Sequence, residues 1–222
     1  MFKVLFFIFL IYSPPHVNEN DLYIQKVTSN PGKLIKCGTF EPGQIFIHGN
    51  TINVEILKFN KRKDMNSFLF CMIKNKADSI QIYTAKQIDG YSIGTENYRK
   101  HISNDAHFFI RLVKNGRAIL YERAAIPSDK RYLYYLKLQK YRDYFVLEPV
   151  NDHLTAIYNP SPEQKFQMCF YYLNPDNKNE KFKLFIKTYL ADCERLNLLM
   201  SSNYYTIFDI PSVIEKYNNC FN

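Results

Sequence analysis

The sequence predicts an all-β protein, on three observations. Tyr and Phe number 18 each in a chain of 222 residues, and both favour the half-buried surface of strands. Short apolar or alternating runs, separated by Gly, Pro, Asn, Asp and Lys, continue through most of the chain, which is the pattern of strands and turns. A helical spacing of apolar residues is nearly absent before about residue 187. We therefore expect strands over residues 21–190.

The runs fall into three sets of four, which predicts a β-trefoil of three four-strand repeats. The first set covers 22–28, 33–38, 44–59 and 67–73. The second covers 79–85, 90–95, 106–122 and 131–139. The third covers 143–150, 153–159, 164–173 and 181–190. One such repeat cannot bury its apolar face alone, and closing three of them into a barrel removes exposed sheet edges. The alternative is a β-sandwich, since "EPGQIFIHGNTINVEIL" is galectin-like in character.

An aromatic residue recurs in the third strand of each set. Phe108 follows Phe46 by 62 positions, and Phe166 follows Phe108 by 58. The polar loop after each of these strands is basic, and the spacer after each first strand is short. We expect the three rings to be buried together about a pseudo-threefold axis.

These positions resemble the repeated Gln-x-Trp motif of the ricin-B-type lectin family of β-trefoils. The first match is Gln44-Ile45-Phe46 and the third is Gln164-Lys165-Phe166, both with Phe in place of Trp. The second, Ala106-His107-Phe108, lacks the Gln as well. The resemblance implies a carbohydrate-binding protein with these residues as its core motif.

The family binds sugar with an Asp after the first strand, a stacking aromatic ring and a nearby amide. Carboxylates and amides bond to paired hydroxyls, and a ring covers the apolar side of a pyranose. The resemblance places these roles in repeats two and three, and the competing interpretation makes the acids and amides ordinary turn residues. The candidate residues are Asp152, Tyr158 and Asn159 in repeat three, and Asp89, Tyr91 and Asn97 in repeat two.

The N-terminus has the pattern of a signal peptide. Lys3 precedes an apolar run, Val4–Tyr12, that has the length of a signal-peptide core and is too short to span a bilayer. We expect residues 1–13 to be a signal peptide and the mature protein to be secreted, without an integral membrane segment.

The C-terminal 191–222 reads as a short extension packed on the trefoil, because it is too small for a core of its own. Export permits disulfides, so Cys193 and Cys220 are expected to pair and staple this segment. Cys37, Cys71 and Cys169 fall on predicted strands and read as buried thiols.

No motif in the chain indicates an enzyme. A phosphate-binding loop, a nucleophile elbow and zinc-ligand spacings are all missing from the sequence. We expect a protein without catalytic activity, cofactor or metal. The net charge of +8 suits anionic polysaccharide bound through the basic loops, and export argues against nucleic acid.

The function predicted is a secreted, ricin-B-lectin-like protein that binds glycans or glycoproteins. The alternative is a structural or protein-interaction component of an extracellular coat or host interface that has lost sugar binding.

Overall fold

The computed structural model describes residues 19–60, 64–75, 77–103, 106–124, 132–139, 144–149, 155–158, 178–202, 204–205 and 209–221. The strands are β1 Gly38–Ile47, β2 Asn50–Phe59, β3 Phe70–Lys74, β4 Ile80–Thr84, β5 Gly90–Ile93, β6 Glu96–Ser103, β7 Ala106–Lys114, β8 Ala118–Ala124, β9 Tyr132–Leu138, β10 Tyr144–Pro149 and β11 Thr155–Tyr158. The helices are α1 Glu19–Thr28, α2 Pro31–Ile35, α3 Lys178–Tyr189, α4 Glu194–Ser201 and α5 Ile210–Asn218. Two 3₁₀ helices lie at Asp64–Phe68 and Asn219–Phe221.

All the strands that the structure describes belong to one antiparallel sheet. Their order is β4-β3-β2-β1-β5-β6-β7-β8-β9-β10-β11. Two meanders, β1–β4 and β5–β11, are therefore joined side by side. The junction is a pairing of β1 with β5, in which Gly43–Phe46 lie opposite Gly90–Ile93.

A two-residue turn fixes the register of the longest hairpin. His48 and Gly49 both have positive φ, 48° and 81°, as the type I′ turn between twisted strands requires. Ile47 then faces Asn50, and the pairing runs unbroken to Gly38 opposite Phe59. This register decides which β1 and β2 side chains share a face.

The sheet curls strongly around its first apolar cluster. Only five residues join Thr84 at the end of β4 to Gly90 at the start of β5, and the N–H groups of Gln87 and Ile88 both bond to the Thr84 carbonyl. In a flat sheet these strand ends would be separated by four strand spacings, about 19 Å, and most of a strand length. The short link therefore requires β1–β5 to wrap around a core on what we call the inner face. That inner cluster comprises Ile45, Ile56, Phe68, Cys71, Ile73, Ala85, Ile88, Tyr91, Ile93, Tyr98 and Phe109.

Helices cover the two ends of the sheet on opposite faces. α1 and α2 pack on the other side of β1–β4, the outer face, through a cluster that includes Leu34, Leu57, Phe59, Phe70 and Met72. α3, α4 and α5 pack on the inner face of β8 and β9, and the second inner cluster contains Leu120, Leu136, Phe185, Leu196 and Ile214 among others. Between these helical layers, the outer face of the central strands carries no helix among the residues described.

Asn218 fastens α5 to the β7–β8 hairpin. Its amide oxygen accepts from the Ala118 N–H at 2.8 Å, and its amide nitrogen donates to the Ala118 carbonyl at 2.9 Å. The side chain thus imitates a neighbouring strand at the start of β8. Gly116 lies beneath it, where a Cβ would stand 2.6 Å from the Asn218 Cγ.

The disulfide between Cys193 and Cys220 is confirmed. It joins the start of α4 to the 3₁₀ turn that follows α5, so the two helices are linked covalently to each other. Cys71 is a buried thiol, as predicted, and Cys37 is only partly buried. Cys169 and the predicted signal peptide, 1–13, lie outside the residues described. Within those residues, no helix is long and apolar enough to cross a membrane.

The all-β class is confirmed for the body of the chain, but three predicted strands are helices. Residues 22–28 lie in α1, the first half of 33–38 lies in α2, and 181–190 falls largely in α3. α2 begins with a helix-start signal: Asn30 accepts from the Lys33 N–H, and Pro31 occupies the first turn.

In α3 the apparent alternation was misleading. Phe182, Phe185 and Ile186 are buried at helical spacing, while Leu184 is 63% exposed. Two runs predicted as single strands, 44–59 and 106–122, are hairpins. Neither the trefoil nor the sandwich is confirmed, and the predicted strand 164–173 lies outside the residues described.

Candidate functional site

The predicted sugar site of repeat three falls mostly outside the described part of the chain. Asp152 and Asn159 are not among the residues described, and neither are Gln164 and Phe166 of the core motif. The backbone of Tyr158 ends β11, paired with Val146 of β10. These residues stay predictions.

The structure separates the three predicted residues of repeat two. Tyr91 is 2% exposed; its ring stacks on that of Tyr98 at 4.4 Å, and its hydroxyl donates to the Ser67 carbonyl at 2.6 Å. Asp89 accepts from the His48 N–H at 2.8 Å, which ties the β1–β2 turn to the start of β5. Tyr91 is therefore a core residue on the inner face and cannot stack on a ligand, whereas Asn97 lies on the outer face.

The core-motif residues that can be located do not form one core. Phe108 is 1% exposed and packs with Ile110 and Tyr135. Phe46 is only partly buried and Gln44 is exposed, both on the outer face of β1. The expectation that Phe46 is a buried core ring is therefore wrong, because its position in the register points it away from the inner cluster.

Polar side chains form a continuous row across four strands of the outer face. Gln44 of β1 lies opposite Asn53 of β2 and also opposite Ser92 of β5, and Ser92 lies opposite Asn97 of β6. The Gln44 amide nitrogen donates to the Asn53 amide oxygen at 3.0 Å. We call Asn53, Gln44, Ser92 and Asn97 the amide row.

A second row lies two residues further along the same strands. Thr51, Phe46, Gly90 and Arg99 occupy successive strands in register. The Arg99 guanidinium lies over the Phe46 ring, with its central carbon 4.8 Å from the ring centre. Gly90 separates the two, and a Cβ there would collide with the Tyr98 carbonyl oxygen. The missing side chain leaves room for Arg99 to reach Phe46.

The two rows together make a surface suited to a sugar. Residues two apart on a strand are separated by about 7 Å, so one pyranose can touch both rows. The amide row supplies donors and acceptors for hydroxyls. Phe46 and Arg99 supply a planar, partly apolar wall. The surface straddles the junction between the two meanders.

Next to this surface lies a buried cation. Arg123 is 8% exposed, and its guanidinium carbon is 3.8 Å from the centre of the Phe108 ring. Its Nε has no hydrogen-bond partner among the residues that the structure describes. Burial lowers the pKa of Arg123, while a hydrogen bond with the Tyr135 hydroxyl raises it. The ring of His101 lies 4.8 Å from that of Tyr135. Burial, and then the charge of Arg123, lower the pKa of His101 to about 4, so His101 is neutral at neutral pH.

Acidic residues of the same strands point the other way. Glu96 of β6 and Glu122 of β8 lie on the inner face, where both bind Arg111. The Nη1 of Arg111 is 2.9 Å from Glu96, its Nη2 is 2.7 Å from Glu122, and its guanidinium lies over the Phe68 ring. The strands thus separate charge: the carboxylates are neutralised inside, and Arg99 and Arg123 lie outside.

The sequence prediction assigned Gln44 and Phe46 to a buried core motif, whereas both lie on the outer face. It included Asn97 among the sugar-binding candidates and did not include Asn53, Ser92 or Arg99. The signal in the sequence was the alternation of polar and apolar residues on both sides of His48-Gly49. Within the described residues, no group of three or more His, Cys, Asp or Glu could hold a metal ion. None of the known families, curated proteins or solved structures compared with the chain matches it.

Proposed function

We propose that this protein is a secreted, non-catalytic carbohydrate-binding module whose site is the amide row and the Phe46–Arg99 row. The observation that carries the proposal is the amide row itself. Four hydrogen-bonding side chains lie side by side on an accessible sheet face, next to a stacked ring and guanidinium.

The chemistry of the row favours hydroxyl ligands. The bond between Gln44 and Asn53 fixes the two amides relative to each other. It uses one donor and one acceptor and leaves the Gln44 oxygen and the Asn53 nitrogen for a ligand. A sugar offers vicinal hydroxyls that both donate and accept, so it can satisfy both groups at once.

Export is supported by the N-terminal apolar run and by the disulfide between Cys193 and Cys220, since disulfides persist in oxidising compartments. The ricin-B-like resemblance adds the sugar-binding expectation. Its residue assignments in repeat three, Asp152, Tyr158 and Asn159, remain part of the proposal as a separate candidate site.

The test is a glycan array followed by calorimetry on the best ligand. Gln44→Ala and Asn97→Ala should each weaken binding about tenfold, which corresponds to about 1.4 kcal/mol. Gln25→Ala on α1 is the matched control, because it removes an exposed amide from another surface, and it should bind like the wild type.

Two results would contradict the proposal. Binding that survives both row substitutions but is lost in Asp152→Ala would move the site to repeat three. A chain that binds no glycan on the array would leave the coat or protein-interaction role, which the same exposed face could serve.

A further inference from the structure

The strands next to the proposed sugar site carry an unusual distribution of charge on their outer face. By register, Arg99, His101 and Arg123 lie on the outer face of β6 and β8. Glu96 and Glu122, on the same two strands, lie on the inner face with Arg111. Among the described side chains of β5–β9, the outer face therefore presents cations and no carboxylate.

Arg99 is positioned to bind an anion at this face. It is exposed, and within the described residues it forms no ion pair. Its guanidinium carbon lies 4.8 Å from the centre of the Phe46 ring, and Asn97 lies two residues away on the same face of β6. A guanidinium offers paired N–H groups to a carboxylate or a sulfate.

Arg123 adds charge from beneath the surface. It is buried and contacts Phe108, and within the described part of the chain its Nε has no hydrogen-bond partner and its guanidinium has no acidic partner. A buried cation without a counter-ion is costly, and an anion on the adjacent surface would offset part of that cost. Because Arg123 is buried, its attraction to a surface anion is screened less by salt than that of an exposed cation would be.

We infer that the glycan bound by the amide row is acidic, with its carboxylate or sulfate held by Arg99. This inference rests on the proposed function. The hydroxyls of the sugar bind Gln44 and Asn97, and the anionic group lies one row further along the strands. The ligand class is then an acidic oligosaccharide, recognised by strand residues rather than by the basic loops expected from the sequence.

The experiment compares matched ligands on the folded full chain. Oligogalacturonate is measured against its methyl ester, and a heparin oligosaccharide against its desulfated form, by calorimetry at 0.15 M salt. We expect the acidic member of at least one pair to bind about tenfold more tightly. The pair that shows the preference identifies carboxylate or sulfate as the anionic group.

Arg99→Gln should abolish that preference, because it should weaken binding of the acidic member about tenfold more than binding of its neutral counterpart. Lys36→Gln on the exposed surface of the N-terminal segment removes the same charge elsewhere and should change nothing. Arg99→Lys should retain part of the preference, because the charge remains and the planar fork is lost.

The outcomes separate the two proposals. Equal binding of acidic and neutral ligands overturns the inference and leaves the sugar site standing. Equal losses in Arg99→Gln and Lys36→Gln mean that the net charge of +8 attracts acidic chains without a site, which also overturns the inference. No binding of any oligosaccharide overturns the proposed function as well.

Discussion

Arg111→Met should strongly destabilise the fold, because it leaves two carboxylates on the inner face without their counter-ion. Among the described residues, the guanidinium makes three charge-assisted bonds to carboxylates, of 2.9 and 2.7 Å to Glu122 and 2.9 Å to Glu96. The side chains of Arg111 and Glu122 are 18% and 14% exposed, whereas that of Glu96 is 29% exposed. Breaking a buried pair by removing one partner costs about 3–5 kcal/mol.

The partial exposure of Glu96 lets water recover some of that energy. We therefore expect the free energy of unfolding to fall by about 3–4 kcal/mol in Arg111→Met, near the lower end of that range. Urea titration at pH 7, followed by circular dichroism, measures this loss. Lys114→Met is the control, since its partner Glu215 is 55% exposed, and it should cost about 0.5 kcal/mol or less.

The contribution of the unpaired carboxylates to the loss of stability can be measured separately from that of the lost packing. Part of the deficit at pH 7 comes from the two carboxylates that are left without a counter-ion, and the rest comes from the lost packing. Adding Glu96→Gln and Glu122→Gln should recover about half of it at pH 7. A loss under about 1 kcal/mol in the single variant, or no recovery in the triple variant, would refute this reasoning.

Three further predictions concern other parts of the fold. Removing the disulfide with Cys193→Ala and Cys220→Ala should cost about 3–4 kcal/mol in the chain-entropy model, and identical thermal unfolding of the oxidised and variant proteins would contradict it. His101, with its pKa lowered to about 4, should contribute stability above pH 6.5 that is lost progressively as the pH falls to about 4, on the order of 3 kcal/mol at most. An NMR titration in which His101 protonates near pH 6.5 would show the reasoning to be wrong. Asn218→Ala should cost about 1–3 kcal/mol because it leaves two β8 backbone groups without their partner, whereas Asn219→Ala should leave the chemical denaturation midpoint almost unchanged.

Local signals in the sequence predicted most of the strands, and Pro-Ser at 211–212 indicated the start of α5, but α1, α2 and α3 were not predicted. The runs that became β3, β4, β5 and β9 were short, apolar and bounded by turn residues, so period and composition agreed. α3 failed because Lys and Phe alternate in "KFKLFIK", which imitates a strand. Only packing of Phe182, Phe185 and Ile186 against the sheet selects the helix.

The candidate site could not be predicted from its residues, because it depends on pairing between distant strands. Gln44 and Asn53 share a hairpin whose turn was visible in "IHGN". Nothing in the sequence indicates that β5 pairs with β1 rather than with β4. The sequence therefore suggested a repeat, and the residues of the motif were assigned to a common core that Phe46 does not enter.

The amide row exists only because β1 pairs with β5, since its residues come from both meanders. Asn53 and Gln44 come from the first meander, and Ser92 and Asn97 from the second. A ligand that bridges the row binds only when β1 and β5 are paired. Its binding free energy therefore stabilises this pairing, which involves four residues on each strand. At a ligand concentration 100 times the dissociation constant, this linkage amounts to about 2.7 kcal/mol. Reciprocally, any strain that separates the two meanders would release the ligand. The bound ligand would therefore oppose separation of β1 from β5.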